Sequence, residues 1–184
     1  MNFIRVIGTT ISGDHKAILV NPNGGIAFPQ PRTIKAEKFI PAAGAYAAED
    51  VLSDTTAAAT ATPFKFQGIT ETNGGRVTIV RASVLLQTTN LTPRLTLYLF
   101  SKTPTSNLVD NVANTAPIAA DMGIYIEKID FAATEDLGGV SETVATTSTY
   151  GNLPFSVQTA PDSQTIYGIL VTRDAVTATA NDRV

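Results

Sequence analysis

Apolar and polar positions are most clearly ordered between Gly74 and Phe100. After a Gly74-Gly75 turn signal, Arg76-Val-Thr-Ile-Val-Arg-Ala-Ser-Val-Leu-Leu86 is rich in β-branched residues and holds no run of strong helix formers, so it predicts a strand. Val80, Ala82, Val84 and Leu86 fall on one face, and Arg76, Thr78, Arg81 and Gln87 mark places that reach water. The following run, Leu95-Thr-Leu-Tyr-Leu-Phe100, is apolar on both faces: Leu95, Leu97 and Leu99 on one, Tyr98 and Phe100 on the other. It predicts a strand in the middle of a packed structure. Between the two, Asn90-Leu-Thr-Pro93 has to bend, because proline donates no ladder hydrogen bond.

The rest of the chain reads as further strands laid against this pair. Two short runs, Phe3 to Ile7 and Ala17 to Val20, precede an Asn21-Pro-Asn-Gly-Gly25 turn signal and Ile26-Ala-Phe28. Pro29-Gln-Pro31 then stiffens the chain and breaks any sheet. Residues 1–39 are therefore expected to form an extended N-terminal β arm or a small β layer, and residues 40–184 the body. Ala43 to Leu52 has helical propensity, whereas the Ala/Thr tract from Thr55 to Thr62 predicts an exposed loop or an edge. Pro63 to Gln67 resumes strand alternation. Ser101 to Pro117 is loop chemistry, and Pro117 to Asp121 predicts a single helical turn with proline in first position. Ile124 to Phe131 predicts a strand with a change of phase near Glu127, followed by a turn at Asp136-Leu-Gly-Gly139. Val140 to Thr147, Leu153 to Val157, Thr165 to Thr172 and Ala175 to Ala180 complete the set; Pro154 places its strand at an edge. About eight body strands with turn signals every 8 to 12 residues or so point to an all-β, antiparallel two-sheet sandwich of jelly-roll type rather than βαβ units.

Composition agrees with one core. The chain has 184 residues, 43% of them hydrophobic and only 16% charged, which excludes disorder and suits a weakly charged surface in contact with other protein. There is no cysteine, so no disulfide framework or thiolate metal site is possible. No apolar run approaches the ~20 residues that a membrane helix needs, and Met1-Asn-Phe-Ile-Arg5 lacks the order of a signal peptide, so no membrane partner is expected. The net charge of -3 is unevenly spread. Residues 1–40 carry Arg5, Lys16, Arg32, Lys35 and Lys38 against Asp14 and Glu37, a balance of +3, and the remainder carries -6. A basic leader on an acidic body can grip an acidic neighbour, and these five cations are the candidate partner-contact residues. A solvated arm with no partner is the plain alternative, since exposed ion pairs are individually worth about 0–1 kcal/mol.

Candidate chemistry is sparse. His15 is the only histidine; it stands beside Asp14 in a glycine-containing turn, and no nucleophile elbow accompanies it. Asp110, Asp121, Asp130, Glu135 and Asp136 occupy loops or strand ends where carboxylates can gather around calcium, but none has the calcium-loop order, and solvated carboxylates are the plainer reading. A carboxylate pair for glycoside hydrolysis would lack any tryptophan to stack on a sugar. The Gly-Gly pairs at 24, 74 and 138 are turn makers, not phosphate cradles, and net acidity argues against nucleic acid. Asn90-Leu-Thr92 matches a glycosylation acceptor with nothing secretory around it. The expectation is a protein with no cofactor and no catalytic residues.

Tyr46-Ala-Ala-Glu-Asp-Val-Leu52, Pro63-Phe64, Gly74-Gly-Arg-Val-Thr-Ile79, Thr96-Leu-Tyr-Leu-Phe100, Asp110-Asn111, Ala120-Asp121 and Ile166-Tyr-Gly-Ile-Leu-Val171 together resemble a family of tailed-phage virion proteins. The likeness runs in order over residues 40 to 180 or so, with Glu49 standing where the family has glycine. The resemblance implies a jelly-roll protein on the outer surface of the head; the absence of cysteine is compatible with assembly in the host cytoplasm. The resemblance further implies a capsid decoration or cement protein, commonly trimeric, whose partner is the major capsid protein. A head-fibre, tail or receptor-binding module, with loops such as 101–123 recognising a host surface, is the competing expectation.

Overall fold

The computed structural model describes residues 6–9, 15–18, 32–41, 44–88, 91–146 and 153–184. Arg5, the Asn21 to Gly25 turn, the Pro29 to Pro31 hinge and Asn90 lie outside them. The chain divides into two compact units, Met1–Thr33 and Ile34–Val184. In the first, β1 (Val6–Thr9) pairs antiparallel with β2 (His15–Ile18), Val6 standing opposite Ile18 and Thr9 opposite His15.

The second unit is all-β, without an α-helix among its described residues. Its strands are β3 (Gly44–Tyr46), β4 (Val51–Leu52), β5 (Phe64–Phe66), β6 (Arg76–Ile79), β7 (Arg81–Leu86) and β8 (Leu95–Phe100), followed by β9 (Tyr125–Phe131), β10 (Glu135–Asp136), β11 (Ser141–Thr146), β12 (Phe155–Gln158), β13 (Ile166–Thr172) and β14 (Val176–Ala178). The largest sheet runs β4-β13-β8-β9, with β5 also on β13; β10-β11-β7 form a second, and β12-β6 and β14-β3 are two-stranded. All the ladders are antiparallel.

The doubly apolar strands explain the layering. β8 and β13 lie side by side in the middle of the largest sheet, Leu97 opposite Leu170. One face of that sheet, with Leu97, Leu99, Ile129, Phe131, Ile166 and Leu170, packs in one core with Leu86 of β7, Ala145 of β11 and Leu153. Its other face puts Phe100, Ile169, Val171 and Val51 into a second, smaller cluster, which Leu108, Ala116 and Ile124 of the 101–124 connection cover. A strand with an apolar residue at every position needs cover on both sides, and here strands supply one side and a loop the other.

Several local expectations are met, and several are corrected. β9 carries the predicted change of phase: Leu99 stands opposite Glu127 and Phe100 opposite Tyr125, so Ile126 is the extra residue of a bulge. The strand expected from Arg76 to Leu86 is instead two. β6 pairs with β12 and β7 with β11, and the inward phase shifts from Val77 and Ile79 to Ala82, Val84 and Leu86. Val80 at the break is 58% exposed, not on the inner face. The helical propensity of Ala43 to Leu52 is overridden by sheet pairing: β3 and β4 flank a turn with Glu49 at φ 73°, the left-handed backbone that glycine favours. The helical turn expected from Pro117 is a single 3-10 turn, Ala119–Asp121, that starts two residues after the proline, with Ile118 still in an extended conformation.

Candidate functional site

Residues 34–40 belong to the second unit, and the segment around Phe39 is held against the C-terminal residues by an isolated antiparallel bridge, Phe39 opposite Arg183. The amide of Lys38 donates to the Val184 carbonyl at 2.8 Å and that of Val184 to the Lys38 carbonyl at 2.9 Å; Ile40 N–H donates to Asp182 O and Asn181 N–H to Ile40 O, each at 2.8 Å. Phe39 faces outward under the Arg183 guanidinium, 5.3 Å from its ring centre. Ile40 is buried in the main core and Ala36 packs against it. Residues 34–40 thus form a root held by the body.

The five candidate cations separate on this frame. Arg5 lies outside the described residues, and Lys16 is in β2 opposite Gly8. Arg32 and Lys35 are exposed. Lys38 is not: only 5% of its side chain is accessible. Its ammonium donates to Asp54 Oδ1 at 2.6 Å, to the Thr62 carbonyl, and to Ser53 Oγ and Thr62 Oγ1 at 3.3 Å each, and it lies 5.4 Å from the Phe64 ring centre. Burial pushes its pKa down, against the pull of Asp54. Its charge is spent inside the body, which removes it from the set that can meet a partner. The signal was in the sequence: Ile34, Ala36 and Ile40 alternate inward, and Lys38 occupies the remaining inward position of that extended segment.

Four of the five loop carboxylates are spent in the same way, each on its own neighbourhood. Asp121 is fully buried and accepts from the amides and hydroxyls of both Thr105 and Ser106. Burial alone would raise its pKa, but these four donors outweigh it and hold the carboxyl below its usual range. Asp110, also buried, accepts from Tyr46 Oη at 2.6 Å and from the Ser53 amide at 2.8 Å; here burial wins and its pKa is raised. Asp130 accepts from Thr96 Oγ1 at 2.8 Å and pairs with Lys128 at 2.7 Å. Asp136 caps the Gly138 amide at 2.7 Å, and Glu135 is exposed. Among the described residues no three metal-ligating side chains converge. His15 sits in β2, not in a turn.

A cleft of about 500 Å³ opens between the chain before β8 and β14, walled by Thr88, Leu91, Pro93, Val176 and Thr177. Its carboxylate, Asp174, is clamped by Arg94, whose backbone amide, Nε and Nη2 donate at 2.9, 3.1 and 2.6 Å and hold its pKa down at about 2. Hydroxyls and aliphatic carbons remain, a lining that can make contacts but offers no free acid or base. No family model, no curated protein and no solved structure matches the chain.

Proposed function

We propose that the chain is a structural protein of a tailed-phage virion: a capsid decoration, or cement, protein with a jelly-roll body that stabilises the head shell by bridging capsomers. The observation that carries this reading is the split between a basic leader and an acidic body joined by a root that the body grips. Met1–Thr33 holds Arg5, Lys16 and Arg32 against Asp14, a balance of +2, while Ile34–Val184 carries -5. A leader that bridges must pass load to its body, and the root does so through a backbone ladder and the buried Lys38. The resemblance of residues 40 to 180 or so to tailed-phage virion proteins supplies the particle; its partner is then the major capsid protein, with copies associating as trimers on the outer head surface. Individually modest contacts from one subunit to several shell subunits add as a multivalent grip.

The test is a truncation before Ile34 that leaves the root in place. The shortened protein should melt cooperatively and fail to bind undecorated shells. Unchanged shell binding overturns the reading. The 101–124 connection favours one alternative, a host-recognising module, because it presents Met122 with 73% of its surface exposed, together with Val112. Binding of purified protein to host cells that the substitution Met122→Glu abolishes would support that alternative.

A further inference from the structure

β7 ends the three-stranded sheet β10-β11-β7: β11 takes one of its edges, and among the described residues no strand pairs with the other along Arg81 to Leu85. Past Leu86 the chain is engaged again, Gln87 N–H donating to the Arg183 carbonyl at 3.0 Å. Open edges are templates for another strand. This one also lacks the usual protection, because its middle presents Ser83 and a half-exposed Leu85, at 50%, instead of a row of charges.

Charge on the outer face of the same sheet points to what covers the edge. The register sets Leu85 directly opposite Glu142 and Glu142 directly opposite Glu135, so two carboxylates face each other across adjacent strands. Like charges so placed repel. Among the described residues neither has an ion-pair partner, and neither has the exposed Arg81 at the other end of β7. The face is therefore positive at one end, negative at the other and uncharged between.

We propose that β7 is a self-association edge, pairing antiparallel with β7 of a second copy about a two-fold axis through Ser83. In that register Arg81 of each copy stands across from Leu85 of the other, with Glu142 one strand further on. Two strand spacings are ~10 Å, within the combined reach of an arginine and a glutamate. The arginine stem covers the exposed leucine, and its guanidinium meets Glu142, offsetting the repulsion that Glu142 feels from Glu135 in the monomer. The same polarity makes the surface self-complementary, as a two-fold contact requires. On a shell, this contact joins copies of neighbouring assemblies and is strengthened by their local concentration.

The chain contains no cysteine, so a single introduced thiol reports on the axis without background. Residues directly opposite in an antiparallel pair lie about 4.5–5.5 Å apart at Cα, within disulfide range. Full-length Ser83→Cys should oxidise to a covalent dimer at least about tenfold faster than Thr56→Cys in the exposed 55–62 loop. Adding Arg81→Glu to Ser83→Cys should slow cross-linking by roughly tenfold or more, since both ion pairs are reversed. Adding Glu142→Arg should do the same. A mixture of these two double variants should recover the fast rate, selectively as the mixed dimer, because every reversed charge then meets its opposite. Cross-linking of Ser83→Cys no faster than the Thr56→Cys control overturns the edge, and failure of the mixture to recover overturns the register.

Discussion

Two buried aspartates show how much a carboxylate depends on its donors. Asp121 and Asp110 both sit inside the body, yet one is held ionised and the other pushed toward its acid form, because four donors converge on Asp121 and fewer on Asp110. The substitution Asp121→Asn puts an NH2 where amides and hydroxyls already donate, and should cost about 2–4 kcal/mol in urea unfolding at pH 7. Asp110→Asn removes a charge that the site disfavours and keeps an acceptor for Ser53, so it should change stability by less than about 1 kcal/mol. The pH dependence differs in sign. Asp121, with a folded pKa below 3.8, contributes stability that is complete above that value and is lost as pH falls through the folded one. Asp110 in the unfolded chain releases its proton near 3.8 while the folded form retains it, so its contribution declines as pH rises from 3.8 through the raised folded value. Each slope should vanish in the matching asparagine variant. Glu49 tests the backbone instead. At φ 73° it should be replaced better by glycine than by alanine, by about 1 kcal/mol in the difference between Glu49→Gly and Glu49→Ala. That comparison cancels the loss of its ion pair with Arg173, which both variants suffer.

At the level of elements, one close approach in the body is at Gly168 of β13. A β-carbon there would lie 2.8 Å from Leu97 Cδ1 and 3.0 Å from Phe66 Cε2, so β5 and β8 close on β13 only because that residue has no side chain. Gly168→Ala should destabilise by about 1–3 kcal/mol, read as a lower urea midpoint with an unchanged slope. β8 and β13 were legible in the sequence because residues apolar on both faces leave a strand no place but the interior. The bulge in β9 was legible for a related reason: Ile124 and Ile126 share one phase and Ile129 and Phe131 the other, which one regular strand cannot satisfy. The break at Val80 was not, since Val80 continues the apolar spacing of Ala82 and Val84, and only the change of partner from β12 to β11 ends the strand. Nor was the covering role of the 101–124 connection. Its polar composition reads as solvated loop, whereas Asp121 and Asp110 turn inward to satisfy the backbone of the cover and of the strand beneath it. The acceptors of Asp110 and Asp121 are occupied by protein donors.

For the whole molecule, the proposed grip depends on which cations remain free, and the root decides that. Lys38 is tied to Asp54 and Thr62, so the charges left for a neighbour are those of Met1–Thr33 together with exposed Lys35. Truncating buried Lys38 to alanine removes the ammonium shared by Asp54, Ser53 and the Thr62 carbonyl and opens a void beside Phe64, so Lys38→Ala should cost about 2–4 kcal/mol of stability. Reversing the exposed pair, Arg32→Glu with Lys35→Glu, removes no packing and should leave the melting temperature within a degree or so. The two changes therefore separate folding from gripping. If the leader meets an acidic surface, the reversed pair should weaken binding to undecorated shells by roughly tenfold or more at about 20 mM salt, where the Debye length exceeds 20 Å. Raising the salt to about 1 M shortens that length to ~3 Å, and the two proteins should then bind almost alike. Equal binding of wild type and reversed variant at low salt would mean that the leader's charge takes no part in the contact, and would leave the apolar positions of β1 and β2 to supply it.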